Sequence, residues 1–280
     1  MLLKYVSEGG SFELGGGDNP FINITKMNGF ELPAPDYETV KYVGENGVTT
    51  TGKTDLPRTL TISGDLMGGQ LEIMNVLKAL YYPGELYCDF GQIKRKIACK
   101  CTNLEDIERH QNCGINGFTF QFQADYPYFN DFYDTQTNLA RYVNHVSNSF
   151  VLPCVFTEKL NEGIAYNSGD KITYPVICLR GESDGSLTSA TLTITNVTSG
   201  KSIKIEHSLQ NGEEVTFDLN TRRIKSNISG NITKKITDDT VLHEFFLEKG
   251  ENKLTFSSTD TYQLVKATIS FNNIYIMAVR

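Results

Sequence analysis

Alternation of apolar and polar residues at every second position runs through most of this 280-residue chain. The most regular stretch is GFTFQFQ (117–123), which places Phe118, Phe120 and Phe122 on one side and threonine and glutamine on the other. The segment RTLTISGDL (58–66) has the same period. A period of two predicts strands with one buried face, so the pattern restricts the chain to a mainly β fold.

One segment, QLEIMNVLKALYY (70–82), has the period of a helix instead. Leu71, Met74, Leu77 and Tyr81 fall on one stripe, which we predict to face the core. The apolar residues flanking that stripe are Ile73, Val76 and Leu80. Pro83 and Gly84 should end this helix. We therefore expect one helix packed on a β-sheet or barrel in an α+β N-terminal region.

The pattern divides the chain into two predicted domains, 1–135 and 136–280. Residues 130–145 lose the alternation and suggest a connector. Beyond them, about nine short apolar-polar runs, NITKKI (231–236) and VLHEFFLEKG (241–250) among them, are separated by Gly, Asn, Asp and Ser, as in a β-sandwich. The polar segment 103–114 is open to two interpretations, a short helix or an extended hairpin loop.

The segment GVTTTGKT (47–54) has the spacing of a nucleotide-binding P-loop, with Gly47, Gly52 and Lys53 in the required positions. A P-loop also requires a helix that begins at the Lys-Thr pair and directs its N–H groups at the phosphates. Pro57 disfavours that helix, and an alternating strand follows it. We therefore predict a polar connection between strands, with Lys53 facing solvent or a neighbouring subunit.

Residue types that carry catalysis or bind metals are present but scattered. The segment GESDG (181–185) has the letters of the GxSxG pattern, but we interpret it as a polar loop and not as the strand-to-helix elbow of a hydrolase. The only close cysteine pair, Cys99 and Cys101, is CxC, and alternation places both on one strand face as small apolar residues. No apolar leader opens the sequence, so we expect reduced cysteines. We predict no catalytic residues, no metal site, no cofactor and no enzymatic activity. The dispersed residues are His110, His145, His207, His243, Cys88, Cys113, Cys154 and Cys178.

Charge and hydropathy exclude further classes. The formal net charge of −7 argues against a general nucleic-acid surface, and no run is long and apolar enough for a membrane helix. A β-sandwich also suggests sugar binding, which most often uses tryptophan, and the chain has none. Tyr174, Tyr262 and Tyr275 could replace tryptophan as the aromatic ring that stacks on a sugar. A glycan-binding module for host adhesion therefore remains the alternative function.

Several segments, in this order along the chain, resemble the distal tail protein (Dit) family of tailed bacteriophages in its short form. The N-terminal segments are FELGG (12–16), INITKMNGFELP (22–33), RTLTISGDL (58–66), QLEIMNVLKALYYPGEL (70–86) and FTFQFQADYPYF (118–129). The C-terminal segments are NSGDKITYPVICLRG (167–181), residues 191–224 and FFLEKGENKLTF (245–256).

The resemblance implies a virion structural protein at the tip of a siphophage tail, or of a related prophage particle. It implies a hexameric ring built by the N-terminal domain, with rings that can stack in isolation, and a galectin-like C-terminal sandwich. Implied partners are the tail tube protein, the tape-measure and tail-associated hub proteins, and a receptor-binding or baseplate protein. The protein would be made in the host cytoplasm without a signal peptide. Within the ring, we predict that the loop carrying Gly47, Thr50, Gly52 and Lys53 contacts the neighbouring subunit.

Overall fold

A computed structural model describes residues 1–16, 22–44, 46–67, 70–109, 116–144, 157–183, 190–260 and 264–278. The chain divides into two compact units. Unit 1 is Met1–Phe132 together with Ile274–Arg280, and unit 2 is Tyr133–Asn273. The two predicted domains, a ring-forming one at 1–135 and a sandwich at 136–280, stay a prediction. No helix among the described residues is long and apolar enough to span a membrane.

Strands dominate both units, as predicted. The first part of unit 1 contains β1 (Leu2–Ser7), β2 (Gly10–Gly15), β3 (Ile22–Asn28), β4 (Pro35–Val40), β5 (Thr49–Asp55), β6 (Arg58–Leu66), α1 (Gln70–Tyr81), β7 (Gly84–Asp89), β8 (Lys94–Arg109), β9 (Asn116–Ala124) and β10 (Phe129–Asp131). Unit 2 contains β11 (Thr135–Asn144), β12 (Thr157–Leu160), β13 (Glu162–Asn167), β14 (Val176–Gly181), β15 (Thr191–Asn196), β16 (Lys201–Glu206), β17 (Glu214–Asp218), β18 (Arg223–Ser226), β19 (Gly230–Asn231), β20 (Gly250–Ser258) and β21 (Val265–Phe271). The chain then returns to unit 1 with β22 (Ile274–Tyr275).

Unit 1 is built on an antiparallel sheet in the order β2-β1-β7-β8-β9-β6-β3, and β10 joins it by pairing with β8 and β22. The long β8 pairs with β7 through its first half and with β9 through its second. Its second half answers the open question about 103–114: residues 103–109 are one arm of an extended hairpin, and 110–114 lie outside the described residues. Phe118, Phe120 and Phe122 are all buried, which confirms the predicted apolar face of β9.

The prediction of which helix face is buried was wrong. Helix α1 forms where the periodicity placed it, but the stripe of Leu71, Met74, Leu77 and Tyr81 is exposed. The buried side chains are Val76, Ala79 and Leu80, with Ile73 partly buried.

Small residues explain this choice of face. Gly9, in the turn between β1 and β2, approaches the helix backbone so closely that a Cβ there would lie 2.2 Å from the Lys78 carbonyl oxygen. The Ser7 hydroxyl donates to the Ala79 carbonyl at 2.7 Å. The face carrying Ala79 can therefore come closer to the sheet than the larger stripe could.

Unit 2 consists of two antiparallel sheets that share one apolar core. The larger has the order β12-β11-β21-β14-β17-β18-β19, and the smaller has the order β13-β20-β15-β16. Both contribute to one cluster of buried side chains, for example Ile177 and Phe217 from the first and Ile194 and Phe256 from the second. The mainly β prediction is confirmed, whereas the galectin-like detail remains a prediction.

Three local expectations differ from the structure. The predicted connector at 130–145 overlaps β10 and contains β11, and β11 forms a ladder with β21 despite its weak alternation. The segment 231–236 forms a 3-10 turn at Thr233–Lys235, since the Asn231 side chain accepts the Thr233 N–H at 3.0 Å and turns the backbone. The segment 241–250 likewise begins with a 3-10 turn, Leu242–Glu244, and only its last residue opens β20.

Candidate oligomerisation surface

The P-loop-like segment lies in a β-hairpin and not at a helix N-terminus. Gly52 and Lys53 are in β5, which among the described strands pairs only with β4. Lys53 Nζ lies 3.6 Å from Asp55 Oδ1, and the Tyr128 hydroxyl donates to Asp55 Oδ2 at 2.6 Å. Gly47, at the tip, has φ +97°, a conformation that favours glycine. The cation of the motif is therefore directed at a carboxylate of its own strand, which agrees with the predicted polar connection.

This hairpin, β4–β5, has little cover from the rest of the described chain. It forms a two-stranded sheet of its own, and every residue of β4 is exposed. Its exposed side chains include Tyr37, Val40 and, in the connection, Tyr42 and Val43. A two-stranded hairpin alone in water is at best marginally stable and normally needs a third strand or a helix against it. Among the described residues, the hairpin therefore lacks the packing partner that a two-stranded sheet normally needs.

Helix α1 presents a second apolar surface. Leu71 is 75% exposed and Tyr81 is 82% exposed, with Met74 and Leu77 between them. A shallow groove beside the helix continues this surface, lined by Leu77, Leu80, Tyr81 and Cys101–Leu104. Contiguous exposed apolar side chains of this kind mark interaction surfaces. We refer to Leu71, Met74, Leu77 and Tyr81 as the α1 outer face.

The sequence predicted the four site residues Gly47, Thr50, Gly52 and Lys53 as a contact loop, and all four lie in or at the tip of the hairpin. It did not identify the α1 outer face, because it assigned that stripe to the core. The sequence did hold a signal for this surface: both faces of the helix carry large apolar residues, and only one of them can pack on the sheet.

A buried arginine, which the sequence did not single out, ties the end of the chain to unit 1. Arg58 is 3% exposed and its guanidinium donates to the carbonyls of Pro127, Gly29, Glu31 and Ile276 at 2.6–2.9 Å. Burial lowers its pKa to about 10, against the opposing charges of nearby acidic groups. The side chain thus remains cationic at neutral pH.

Arg95 reinforces the same attachment. Its guanidinium lies 3.8 Å from the centre of the Tyr275 ring and donates to the Met277 carbonyl. The β10–β22 ladder, with Phe129 opposite Tyr275, lies beside these contacts. Together these contacts fix, within unit 1, the segments that precede and follow unit 2, so unit 2 is an insertion in the chain of unit 1.

Unit 2 contains a buried polar cluster that could be mistaken for a catalytic triad. His207 Nε2 lies 2.9 Å from Glu213 Oε1, Lys235 Nζ lies 2.8 Å from His207 Nδ1, and the Ser226 hydroxyl donates to Glu213. Burial disfavours the charged carboxylate, but hydrogen bonds from Ser226, the Gln210 N–H and His207 lower the pKa of Glu213 below its ordinary value.

The geometry of this cluster is structural. Ser226 donates its proton to a carboxylate and accepts the N–H groups of Ile228 and Ser229, so its oxygen is not paired with a general base. The cluster instead connects β16, β17, β18 and the 3-10 turn at Thr233–Lys235. It therefore links the end of the larger sheet, at β17 and β18, to the end of β16 in the smaller sheet.

The cysteines in the described residues are unpaired thiols, and burial raises the pKa of each. For Cys99 the pKa rises to about 12, which leaves the thiol protonated and weakly reactive. Cys113 and Cys154, like His110 and His145, lie outside the described residues. Within the described part of the chain, no three histidine, cysteine or acidic side chains are grouped as a metal site.

Comparisons with known proteins agree with this architecture. Residues 168–275 match the family described as the siphovirus-type tail component, C-terminal domain. No curated protein matches the sequence.

Among solved structures, the crystal structure of the SPP1 Dit protein (gp 19.1), described as a paradigm of the hub adsorption apparatus in phages that infect Gram-positive bacteria, is similar with a TM-score of 0.66. The two chains are 11% identical, and the similarity covers 97% of this chain and 98% of the other. A chain of the phage P2 baseplate, in its activated conformation with Ca, is similar with a TM-score of 0.50 at 9% identity, over 96% and 97% of the two chains.

At these identities the solved structures establish the fold alone, and the family match concerns residues 168–275. The predicted resemblance is thereby confirmed: residues 168–275 match the C-terminal domain of the siphovirus-type tail components, and the chain has the fold of SPP1 Dit.

Proposed function

We propose that this protein is the structural hub at the distal end of a siphophage-type tail, where it joins the tail tube to the tip or baseplate. The observation that carries the proposal is the combination of the family match at 168–275 with a Dit fold over 97% of the chain. A fold alone does not fix a function, so the surfaces of unit 1 are the second support. They are of the kind that a subunit of an assembly presents.

In this proposal six copies form a ring through unit 1. A ring requires two different surfaces on each subunit that bind head to tail and close. Unit 1 has two such surfaces, the β4–β5 hairpin and the α1 outer face. The hairpin contact includes Gly47, Thr50, Gly52 and Lys53, whose side chains or backbone lie along its strand and tip.

The remaining assignments follow from the same role. The ring would contact the tail tube protein and the tape-measure and tail-associated hub proteins, and unit 2 would offer the attachment surface for a receptor-binding or baseplate protein. We assign the protein no enzymatic role and no cofactor, and we place it at the virion tail tip after synthesis in the host cytoplasm.

Immunogold electron microscopy of the particle tests the location. Antibodies raised against the purified chain should label one end of the tail, at the tip. Labelling of the capsid, or along the whole tube, would contradict the proposal. Binding of the purified chain to a glycan array without tip labelling would favour the alternative function, a host-surface glycan-binding module.

Deleting 46–55 tests the hairpin contact. We expect the deleted chain to keep its fold, measured by circular dichroism, and to lose the hexamer, measured by light scattering. An unchanged hexamer would remove the hairpin from the subunit contact. A matched control is a shortened turn between β15 and β16, in unit 2, which should leave assembly unaffected.

A further inference from the structure

A lysine stands among the apolar residues of the α1 outer face. Lys78 is exposed and lies one helical turn beyond Met74 and one turn before Tyr81. No ion pair joins Lys78 to another residue in the described part of the chain. The helix therefore presents a positive charge surrounded by apolar side chains that nothing in the described chain covers.

The hairpin has the complementary pattern. Asp36, Glu38 and Val40 alternate along β4 and share one of its faces, and all three are exposed. No ion pair involves Asp36 or Glu38 within the described residues. Opposite Glu38 stands Gly52, whose missing side chain leaves room for the glutamate over β5. This face therefore combines acidic groups with an apolar side chain.

The charged and apolar residues are spaced similarly on the hairpin and on the helix. Val40 and Glu38 are two residues apart in a strand, roughly 6.6 Å along its axis. Met74 and Lys78 are four residues apart in a helix, about 6 Å along its axis. If the strand lies along the helix, Val40 can contact Met74 while Glu38 contacts Lys78.

From this match we infer that the β4–β5 hairpin of one copy of the chain docks on the α1 outer face of a second copy, with Glu38 paired to Lys78. The inference rests on the proposed function, because it assigns the two surfaces that a ring of unit 1 requires. Each copy carries both surfaces and both are uncovered in the single chain, so one contact repeated head to tail covers every hairpin and every helix face. A helix against the hairpin is also the support that a two-stranded sheet lacks.

Charge reversal tests the contact in the full chain. We expect Lys78→Glu and Glu38→Lys each to place like charges together and to raise the concentration at which half of the chain is assembled by about tenfold or more. Mass photometry over a concentration series measures this. Lys225 is an exposed lysine on β18 in unit 2. Lys225→Glu makes the same change in net charge as Lys78→Glu and should leave assembly unchanged.

Two rescue experiments identify the partner. The chain carrying both substitutions restores opposite charges at the contact and should assemble like the parent. An equimolar mixture of the two single variants should also assemble, because alternating copies then place opposite charges at every contact of an even-numbered ring. Rescue in the double variant without rescue in the mixture would show a contact within one chain and would overturn the inference.

The remaining outcomes are equally decisive. Single variants that assemble like the parent would overturn the docking of these surfaces, and single variants that dissociate without rescue would overturn the pairing of Glu38 with Lys78. In both cases a hexameric parent would leave the proposed hub function standing. A parent chain that stays monomeric would overturn the ring and this contact together.

Discussion

The two units of the molecule differ in where their apolar side chains lie. In unit 2 both sheets direct them into one shared core, and among the described residues fewer large apolar side chains are exposed than in unit 1. In unit 1 a comparable core exists, but apolar side chains also gather on the β4–β5 hairpin and on the α1 outer face. The difference is the one that the proposed ring requires, because unit 1 then offers its exposed apolar surfaces to neighbouring copies.

The units also use buried charges for different purposes. Arg58 in unit 1 hydrogen-bonds to four carbonyls from three separate segments of that unit, including the final one at Ile276. Glu213 in unit 2 binds groups that are close in sequence, such as His207 and Ser226. Four predictions test these contrasts, and they follow here from the largest expected effect to the smallest.

Replacing Arg58 should be the most destabilising change. Arg58→Ala leaves four carbonyls without their donor and removes the contact of the guanidinium with the Phe129 ring, so we expect a loss of about 3–5 kcal/mol in the free energy of unfolding. Urea unfolding measures it. Arg180→Ala, an exposed arginine in unit 2, is the matched control and should cost less than about 0.5 kcal/mol. A loss below about 1 kcal/mol for Arg58→Ala would contradict the anchoring role.

The two faces of α1 should differ sharply in their effect on stability. Leu80→Ala removes a buried side chain and should cost about 2–3 kcal/mol, whereas Leu71→Ala removes an exposed one and should cost almost nothing in the dissociated chain. Thermal unfolding of both variants at a concentration below assembly measures the difference. Equal costs would show that the outer face is packed within the same chain.

The stability that Glu213 contributes should depend on pH. Because its folded pKa lies below the ordinary value of 4.5, its contribution is fully present above that pH and is lost as the pH falls through the folded pKa. Glu213→Gln should therefore cost about 2 kcal/mol at pH 7 and clearly less near pH 3. Denaturant unfolding at both pH values tests this, and a cost independent of pH would be inconsistent with an ionised buried Glu213.

Lys53→Ala should have the smallest effect. Lys53 is more than half exposed and its ion pair with Asp55 is long, so we expect a change in unfolding free energy of less than about 0.5 kcal/mol. We also expect no ATP or GTP hydrolysis by the parent chain. Measurable turnover that disappears in Lys53→Ala would show that the hairpin binds nucleotide after all.

Much of this fold could be predicted from local patterns, because strands such as β6 and β9 follow from strict alternation and α1 from its period and the Pro83-Gly84 stop. The buried face of α1 could not be predicted in the same way, since both of its faces are apolar. Ala79 and Gly9 decide that choice through a close approach of two backbones far apart in sequence.

The candidate site was only half accessible to sequence reasoning for the same reason. Pro57 was enough to exclude a P-loop and to predict a strand connection containing Lys53. The α1 outer face emerges only when the packing of the opposite face is known. Arg58 was likewise invisible, because its partners are backbone carbonyls that no residue type reveals.

The mass of the purified chain in solution tests the central claim most directly. If unit 1 is shaped to be covered by further copies, light scattering at micromolar concentration should give a hexamer, six times the 31.3 kDa of one chain, or a stacked pair of such rings. A single species of 31.3 kDa at every concentration tested would contradict the claim.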